Sequence, residues 1–406
     1  MADRIYPGRV WLDTEGKRIQ AHGGSIFYED GTYYWYGENK EKTDGKSKIW
    51  HWGVRCYSSK DLCNWKDEGL IIPPRPDEAD SPLFPEACMD RPHIIYNRFT
   101  KKYVCWLKIM GRDGVQSETV LTADRFLGPY TIVRTGLRPF DMSAGDFDLA
   151  VAEDGEAYYY FERVHSETIC ADLTADYTDV TGYYSTHFPR PCPPHVREGT
   201  AHFVRRGCHY LITSGTSGYF PNPSMVAVAD TWHGPYTELG DPHPDDPSHT
   251  SFHSQISSVF KVPGKKDLYI ALADRWLPEQ TFLDYEDYAH DFEAMFRPEW
   301  GGPHGFPTAE EKTAAYNRAH GTHVVFSPDC HDTRQSPTTS GSPFASQSPA
   351  RNTPPAWSSS TGSTSGRRRS TKTPEIRQIH QAAERRFVYI FGWTGDAKYM
   401  VAYPFT

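Results

Sequence analysis

The sequence of 406 residues lacks several features that define large classes of proteins. It has no apolar run long enough to span a bilayer, and its first seven residues lack the apolar stretch of a secretory signal. Asp and Glu outnumber Lys and Arg, 52 to 43, so the charge does not favour binding to nucleic acid or to an anionic membrane. We expect neither partner and predict a cytoplasmic protein; a secreted protein whose signal has been removed would begin in the same way.

The sequence also lacks paired cysteines. Its eight cysteines are scattered, without the spacing of a zinc site. Cys105, Cys170 and Cys208 lie in apolar runs, where a free cysteine behaves as a small buried hydrophobic residue. We interpret them as structural thiols.

Aromatic residues are abundant, at 14% of the chain, with 25 Tyr and 11 Trp. Their position in alternating segments indicates strands rather than helices. The length allows one large domain or two ordinary ones. An all-β enzyme with a sugar-stacking surface fits this composition, although Tyr and Trp are also ordinary strand residues.

One hairpin pattern recurs five times, at residues 25–36, 93–106, 149–160, 201–212 and 259–272. Each copy has an apolar strand, a short turn rich in Asp, Asn, Gly or Lys, and a second strand that is in most copies rich in Tyr or Trp. Turns of this kind between alternating strands predict β-hairpins. Repeats of this length, roughly 50 to 70 residues, favour propeller blades when they are rich in strands. We therefore predict a five-bladed β-propeller, with a β-sandwich as the alternative.

Three of the hairpins are followed by a third element, at residues 57–65, 123–130 and 229–236. We expect these segments to supply the outer strands of four-stranded blades.

The repeat fades after Trp276, and we divide the chain into four parts. Residues 1–290 are predicted to form the catalytic propeller, and 291–331 an irregular or helical insertion, with helices near 285–296 and 308–319. Residues 332–375 are rich in Ser, Thr, Pro, Gly and Arg, so we predict disorder there. Residues 376–406 include a predicted strand at 387–393 that could complete the last blade. A change of reading frame in the gene would produce the same abrupt change in composition.

The innermost strand of each propeller blade lines the central channel, so polar residues at the starts of successive blades should converge. This criterion selects Gln20 and His22 for blade one, Asp90 for blade two, Asp146 and Asp148 for blade three, Glu198 for blade four, and His253 and Gln255 for blade five. Glu38, at the end of the second strand of blade one, could also reach the mouth of the channel.

Carboxylates around one pocket suit the cleavage of a glycosidic bond, which needs a protonated acid and a means of activating water. Glu198 is the best candidate for the acid, and the carboxylate of Asp146 would raise its pKa by repulsion of like charges. The competing interpretation is a structural ion pair between sequence neighbours, in Asp90-Arg91 and in Arg197-Glu198.

The sequence resembles glycoside hydrolase family 43, and within it the exo-β-1,3-galactanase group, over roughly residues 7–276. The resemblance is carried by Ala21-His22-Gly23-Gly24, Tyr34-Trp35-Tyr36-Gly37-Glu38, Asp90-Arg91-Pro92-His93-Ile94-Ile95-Tyr96-Asn97, Arg197-Glu198, residues 211–218, and Ser254-Gln255 with Asp274-Arg275-Trp276. It implies an inverting hydrolase with Glu198 as the acid and Asp146 tuning the pKa of that acid. The positions of Glu38, Asp90 and Thr216 look like sugar-contacting positions in that group.

Two residues are candidates for activating the water. His22 stands where most of the family has the aspartate that acts as base, and its imidazole titrates near neutrality. Gln255 matches the glutamine that the galactanase group uses in this role, although a neutral amide is a poor proton acceptor. It could orient the water or act through its imidic tautomer. We favour His22 as a hydrogen-bonding group at the channel rim and place it among the substrate-binding residues.

The sequence departs from the galactanase pattern at two places. Asp90 occupies a glutamate position, and residues 163–167 lack an expected pair of asparagines. We predict a monomer that cleaves single sugars from β-1,3-galactan or arabinogalactan and needs no cofactor, although a structural calcium in the channel stays an alternative. The alternative functions are an α-L-arabinofuranosidase or β-xylosidase of the same fold, and a propeller that binds glycans without turnover.

Overall fold

The structure, a computed structural model, describes residues 2, 4–5, 10–43, 47–111, 114–190, 193–217 and 222–275, and the backbone of three short strands beyond residue 386. This part of the chain is built from strands, with one 3-10 turn at Pro139–Asp141. None of the helices in the described part is long and apolar enough to cross a membrane.

The strands form five sheets, and within each sheet neighbouring strands are hydrogen-bonded in chain order. The first is β1 (His22–Glu29), β2 (Thr32–Glu38), β3 (Val54–Ser59) and β4 (Lys66–Ile72); the second is β5 (Cys88–Asn97), β6 (Lys102–Met110), β7 (Gln116–Ala123) and β8 (Thr131–Leu137). The third is β9 (Ala144–Val151), β10 (Ala157–Arg163), β11 (Glu167–Leu173) and β12 (Val180–His187); the fourth is β13 (Arg197–Arg205), β14 (Cys208–Gly215), β15 (Met225–Ala229) and β16 (Thr237–Gly240). The fifth contains β17 (Ser254–Lys261), β18 (Tyr269–Arg275), β19 (Phe387–Thr394) and β20 (Ala397–Lys398), with β21 (Val401–Ala402) paired to β19.

The first two strands of every sheet are the hairpins predicted from the sequence, and all of them are antiparallel. The turn of the first hairpin shows why its sequence folds in this way. Asp30 and Gly31 both have positive φ, 47° and 74°. Two such residues form the tight turn whose twist matches that of the flanking strands, and Asp-Gly adopts it readily.

The three segments expected to be outer strands are mainly loops instead. Each begins at or near the end of a third strand, and the fourth strand starts at the residue after the segment, at Lys66, Thr131 and Thr237. Asp, Asn, Gly and Pro within these segments favour turns over strand pairing. The sequence therefore placed the outer strands in the right region but too early.

Apolar side chains pack between neighbouring sheets rather than within one sheet. One cluster joins the first sheet to the fifth, where Trp35 and Trp65 pack in the same core as Ile270 and Leu272. The first strands of successive sheets contact one another in order, and β17 contacts β1. The sheets therefore surround a common centre, and the fold is an all-β propeller.

The C-terminal strand β19 pairs with β18 in a parallel arrangement. That residues 376–406 complete the last blade stays a prediction. The predicted helices near 285–296 and 308–319 and the low-complexity tract at 332–375 lie outside the described residues.

The cysteines within the described part agree with the interpretation as structural thiols. Six of them are free. Cys105 and Cys170 are buried, and Cys208 is partly buried.

Candidate active site

A β-bulge interrupts each inner hairpin near the start of the first strand. The register shifts lie between His22 and Ser25, Asp90 and His93, Phe161 and Arg163, Glu198 and Ala201, and Ile256 and Ser258. In three sheets the residue after the candidate has a positive φ: 62° at Gly23, 49° at Arg91 and 59° at Gly199. Bulges redirect side chains and are common beside active sites. The same irregularity therefore recurs where the sequence placed the candidate residues.

Arg91 connects candidates from three other sheets. Its Nε lies 3.0 Å from Asp146 Oδ2, and its Nη2 donates to Gln255 Oε1 at 2.9 Å. Its backbone N–H donates to Glu38 Oε1 at 3.1 Å. Because Arg91 is only 3% exposed, these contacts are made away from solvent. Arg91 was not among the candidates from the sequence.

Lys108 connects two of the predicted carboxylates. Its Nζ lies 2.6 Å from Asp146 Oδ1 and 3.4 Å from Asp90 Oδ2. Asp90 also accepts a hydrogen bond of 3.0 Å from Trp50 Nε1. Asp90 and Arg91 thus have their closest ionic contacts with different residues, although the charge of Asp90 also acts on Arg91.

The two cations fix the charge of Asp146. Burial alone would raise the pKa of its carboxyl, but Arg91 and Lys108 outweigh burial and hold that pKa well below its ordinary value. Asp146 is therefore an anion at any pH near neutrality.

Glu198 has the opposite behaviour. Burial raises the pKa of its carboxyl, and the nearby carboxylates of Asp146 and Glu162 raise it further, against smaller effects of His165 and Lys108. A carboxyl with a raised pKa keeps its proton near neutral pH, which is the state that a general acid requires. Two carboxyls with pKa values shifted apart are the usual sign of distinct acid and anion roles.

Gln255 lies between Glu198 and Arg91. Its Nε2 donates to Glu198 Oε1 at 3.1 Å and to Ser214 Oγ at 2.9 Å, while its Oε1 accepts from Arg91. These three bonds fix the orientation of the amide. Donation from a guanidinium withdraws electron density from Oε1, so the amide is suited to orienting a group rather than to accepting its proton.

His22 lies between two carboxylates. Its Nδ1 is 2.9 Å from Glu38 Oε1, and its Nε2 is 3.6 Å from Asp274 Oδ2. Burial lowers the pKa of His22, but Asp274 and Glu38 outweigh it and the net pKa is raised. Because an imidazole that retains its proton is a poor base, the geometry favours His22 as a hydrogen-bonding group.

Among the residues that the structure describes, two groups of side chains have possible ligand atoms within 4.8 Å of one another, as a cation site would need: His22, Glu38 and Asp90, and Glu162, His165 and Glu198. In the first group Lys40 Nζ already lies 2.6 Å from Glu38 Oε2. In the second group His165 Nδ1 lies 2.7 Å from Glu162 Oε1. Side chains of this protein thus balance both sets of charges, and we assign metal ligands in neither group.

Removing the partner of Glu38 has a predictable effect on stability. Burial would raise the pKa of Glu38, but Lys40 and His22 outweigh it and lower that pKa to about 2 from 4.5. The folded pKa is below the unfolded one, so the contribution to stability is present above about pH 4.5 and disappears as the pH falls towards 2. We expect Lys40→Met to lower the free energy of unfolding by about 3 kcal/mol at neutral pH, because it leaves a buried carboxylate unpaired.

Urea denaturation of wild type and Lys40→Met at neutral pH and at about pH 3 measures this effect, and the difference between them should narrow in acid. Lys42→Met is the control, because Lys42 lies on the same loop but is exposed. An equal loss of stability in both variants would contradict the assignment.

Three other positions selected from the sequence have partners of a different kind. Thr216 follows β14, and its hydroxyl donates to a backbone carbonyl at 3.1 Å. Asp148 pairs with His93 at 2.9 Å. His253 is exposed and precedes β17. These contacts of Thr216 and Asp148 thus lie outside the network around Arg91.

Several residues of the network could have been found from hairpin register. The cross-strand pairs are His22 with Glu38, Asp90 with Lys108, Glu198 with Ser214, and Gln255 with Asp274. Residues that face each other across a hairpin interact directly. Register therefore points to Lys108, Ser214 and Asp274, whereas Lys40 lies in a loop and Arg91 within a bulge, where register gives no signal.

The sequence model of the family described as glycosyl hydrolases family 43 matches residues 18–279 of this chain. A comparison with the curated proteins gave no match.

Solved structures with the same fold include several enzymes that act on galactosides. A family 43 β-1,3-galactosidase is 33% identical with a TM-score of 0.61; the alignment covers 68% of this chain and 57% of the other. A second β-1,3-galactosidase, solved with galactodeoxynojirimycin, is 28% identical with a TM-score of 0.60, over 68% of this chain and 91% of the other. The exo-β-1,3-galactanase of Phanerochaete chrysosporium, in a variant with β-1,3-galactotriose, is 26% identical with a TM-score of 0.59, over 68% and 61%. This chain thus matches little more than half the length of the first of these proteins.

Proposed function

The chain belongs to glycoside hydrolase family 43, and we propose that this glycoside hydrolase releases single galactose units from β-1,3-galactan or arabinogalactan with inversion at the anomeric carbon. The observation that carries the proposal is the buried network in which Arg91 and Lys108 hold Asp146 and Gln255 contacts Glu198, with pKa shifts in opposite directions at the two carboxyls. The substrate is inferred from similarity to β-1,3-galactosidases and exo-β-1,3-galactanases.

In this proposal Glu198 is the general acid. Its proton passes to the glycosidic oxygen while the bond from that oxygen to the anomeric carbon breaks. Asp146 keeps the proton on Glu198 before that step, because a fixed negative charge nearby disfavours a second one.

A water molecule attacks the anomeric carbon from the opposite face, and we assign its orientation to Gln255. The support is the fixed orientation of the amide, which Arg91 and Ser214 hold. The proton that the water loses passes to solvent, and Glu198 regains one from solvent, so the enzyme ends each turnover as it began. Glu38, Asp90, Thr216 and His22 are proposed to contact the sugar.

We also propose that the propeller has five blades. The support is the apolar core between the first sheet and the β17–β18 hairpin, together with the contacts of β17 with β13 and β1. These contacts would close the ring of sheets.

The test of the function is sugar release from β-1,3-galactobiose, with the product anomer followed by proton NMR. Inversion predicts that the non-reducing unit is released as α-galactose, so the α anomer first exceeds its equilibrium share and then mutarotates. Aryl α-L-arabinofuranoside and aryl β-xyloside test the two alternative activities of the same fold. A folded protein that binds galactan but releases no sugar would instead be the glycan-binding propeller, and an initial excess of β-galactose over its equilibrium share would exclude inversion.

A further inference from the structure

Glu162 and His165 form a pair of opposite charges next to Glu198. Glu162 lies on β10 and is 1% exposed, and His165 follows that strand. His165 Nδ1 is 2.7 Å from Glu162 Oε1. One carboxylate oxygen of Glu162, one of Glu198 and one ring nitrogen of His165 all lie within 4.8 Å of one another. The pair therefore acts on Glu198 over a distance at which single charges matter.

The backbone makes room for this pair. Phe161 is in register with Phe147 and Arg163 with Ala144, so Glu162 faces the bulge that contains Gly145. A Cβ atom at Gly145 would lie 2.4 Å from Glu162 Oε2. Glycine at this position thus allows the carboxylate of Glu162 to lie against β9, beside Asp146.

We propose that Glu162 and His165 are positioning residues that together set how firmly Glu198 holds its proton: Glu162 supplies a second negative charge that favours the protonated acid, and His165 neutralises part of that charge and holds Glu162 in place. This inference rests on the proposed role of Glu198 as general acid. Neither residue is required to contact the substrate.

The charges that face Glu198 come from several strands. Asp146 on β9 and Glu162 on β10 are negative, and Lys108 on β6 and His165 are positive. Arg91 on β5 also interacts with Glu198, and Gln255 on β17 donates to it. Burial lowers the pKa of His165, but Glu162, Glu198 and Asp146 outweigh it and raise the net pKa. Glu162 and His165 form a contacting pair whose members affect Glu198 in opposite directions and can be removed separately, as Asp146 and Lys108 also do.

The test is the alkaline limb of kcat/KM against pH, which reports the pKa of the acid in the free enzyme. Glu162→Gln removes a negative charge, so the limb should move down by about one pH unit; His165→Asn removes a positive charge, so it should move up by a similar amount. The double variant should return towards wild type. Shifts in the same direction, no shift, or a change in KM alone would overturn the proposal.

A second readout does not depend on turnover. Carbon-13 NMR of carboxyl-labelled glutamate gives the titration of Glu198 directly, with its signal assigned by loss in Glu198→Gln. The same opposite shifts are expected, and their absence overturns the inference even if no substrate is cleaved. His165→Gln provides a second neutral variant at this partly exposed position, should His165→Asn fold poorly.

The matched control is another histidine–carboxylate pair, His233 with Asp172 at 2.7 Å, on the outer part of the propeller. Asp172→Asn and His233→Asn should leave the titration of Glu198 unchanged. If Glu198→Gln loses activity but the alkaline limb stays in place in the Glu162 and His165 variants, the proposed function is retained and this inference is rejected. Full activity in Glu198→Gln would reject the proposed function itself.

Discussion

Glu198→Gln is expected to lower kcat on β-1,3-galactobiose by about a thousandfold, with KM changed much less. A sugar leaving group is a poor one, so the bond breaks only when its oxygen receives a proton. Glutamine has nearly the shape of glutamate and can still accept a hydrogen bond from Gln255, but it has no acidic proton. Steady-state kinetics of the two proteins at the pH optimum measure the effect.

The leaving group distinguishes loss of the acid from general damage to the site. A dinitrophenyl galactoside needs little protonation, so the same variant should lose only about tenfold in kcat with that substrate. Glu167→Gln is the control, because Glu167 lies on β11 and its carboxylate pairs with Arg163. An equal loss on both substrates would be incompatible with Glu198 acting as the proton donor.

The repeated hairpins made the fold predictable. Alternating strands joined by turns such as Asp30-Gly31 are local features, so one sequence suffices to find them. The five hairpins start near the residues that the pattern indicated. The outer strands were placed too early because their first residues are set by pairing to β3, β7 and β15. The turns before them also resemble the ends of strands in composition, so the boundary between turn and strand is not visible in the sequence.

Part of the site was also predictable. Position at the start of an inner strand selected Glu198, Asp146, Gln255 and Asp90, which the structure brings into one network of contacts. The same criterion selected His253, which is exposed, because it cannot separate the last loop residue from the first strand residue. A rule based on chain position alone therefore needs the exact start of each strand.

Arg91 and Glu162 could not be found from chain position or from register. Arg91 follows a candidate within a bulge and has a positive φ of 49°, so its side chain departs from the alternation of the strand. Glu162 lies opposite the bulge of β9 and is likewise out of register. Irregular positions of this kind can be recognised only from the pairing of both strands in the structure. They nevertheless determine which charged side chains come into contact.

Asp146→Asn should have the second large effect, on stability and on activity at once. The substitution leaves Arg91 and Lys108 buried without their carboxylate, which should lower the free energy of unfolding by about 3 to 5 kcal/mol at neutral pH. The folded pKa of Asp146 is below its unfolded value, so its contribution is present above about pH 4 and is lost as the pH falls further. Urea denaturation over this range measures it, and Lys108→Met combined with Asp146→Asn should recover part of the loss.

Activity separates the two consequences of that substitution. Without the anion, and with two cations nearby, the pKa of Glu198 falls, so the acid loses its proton at neutral pH. We expect kcat/KM to drop by about a hundredfold near pH 7 and to recover as the pH is lowered to about 5, where Glu198 regains its proton. A variant that is merely less stable would lose activity further in acid. Recovery in acid therefore identifies Asp146 as the residue that sets the pKa of the acid, whereas a uniform loss at every pH would show that it only holds the fold together.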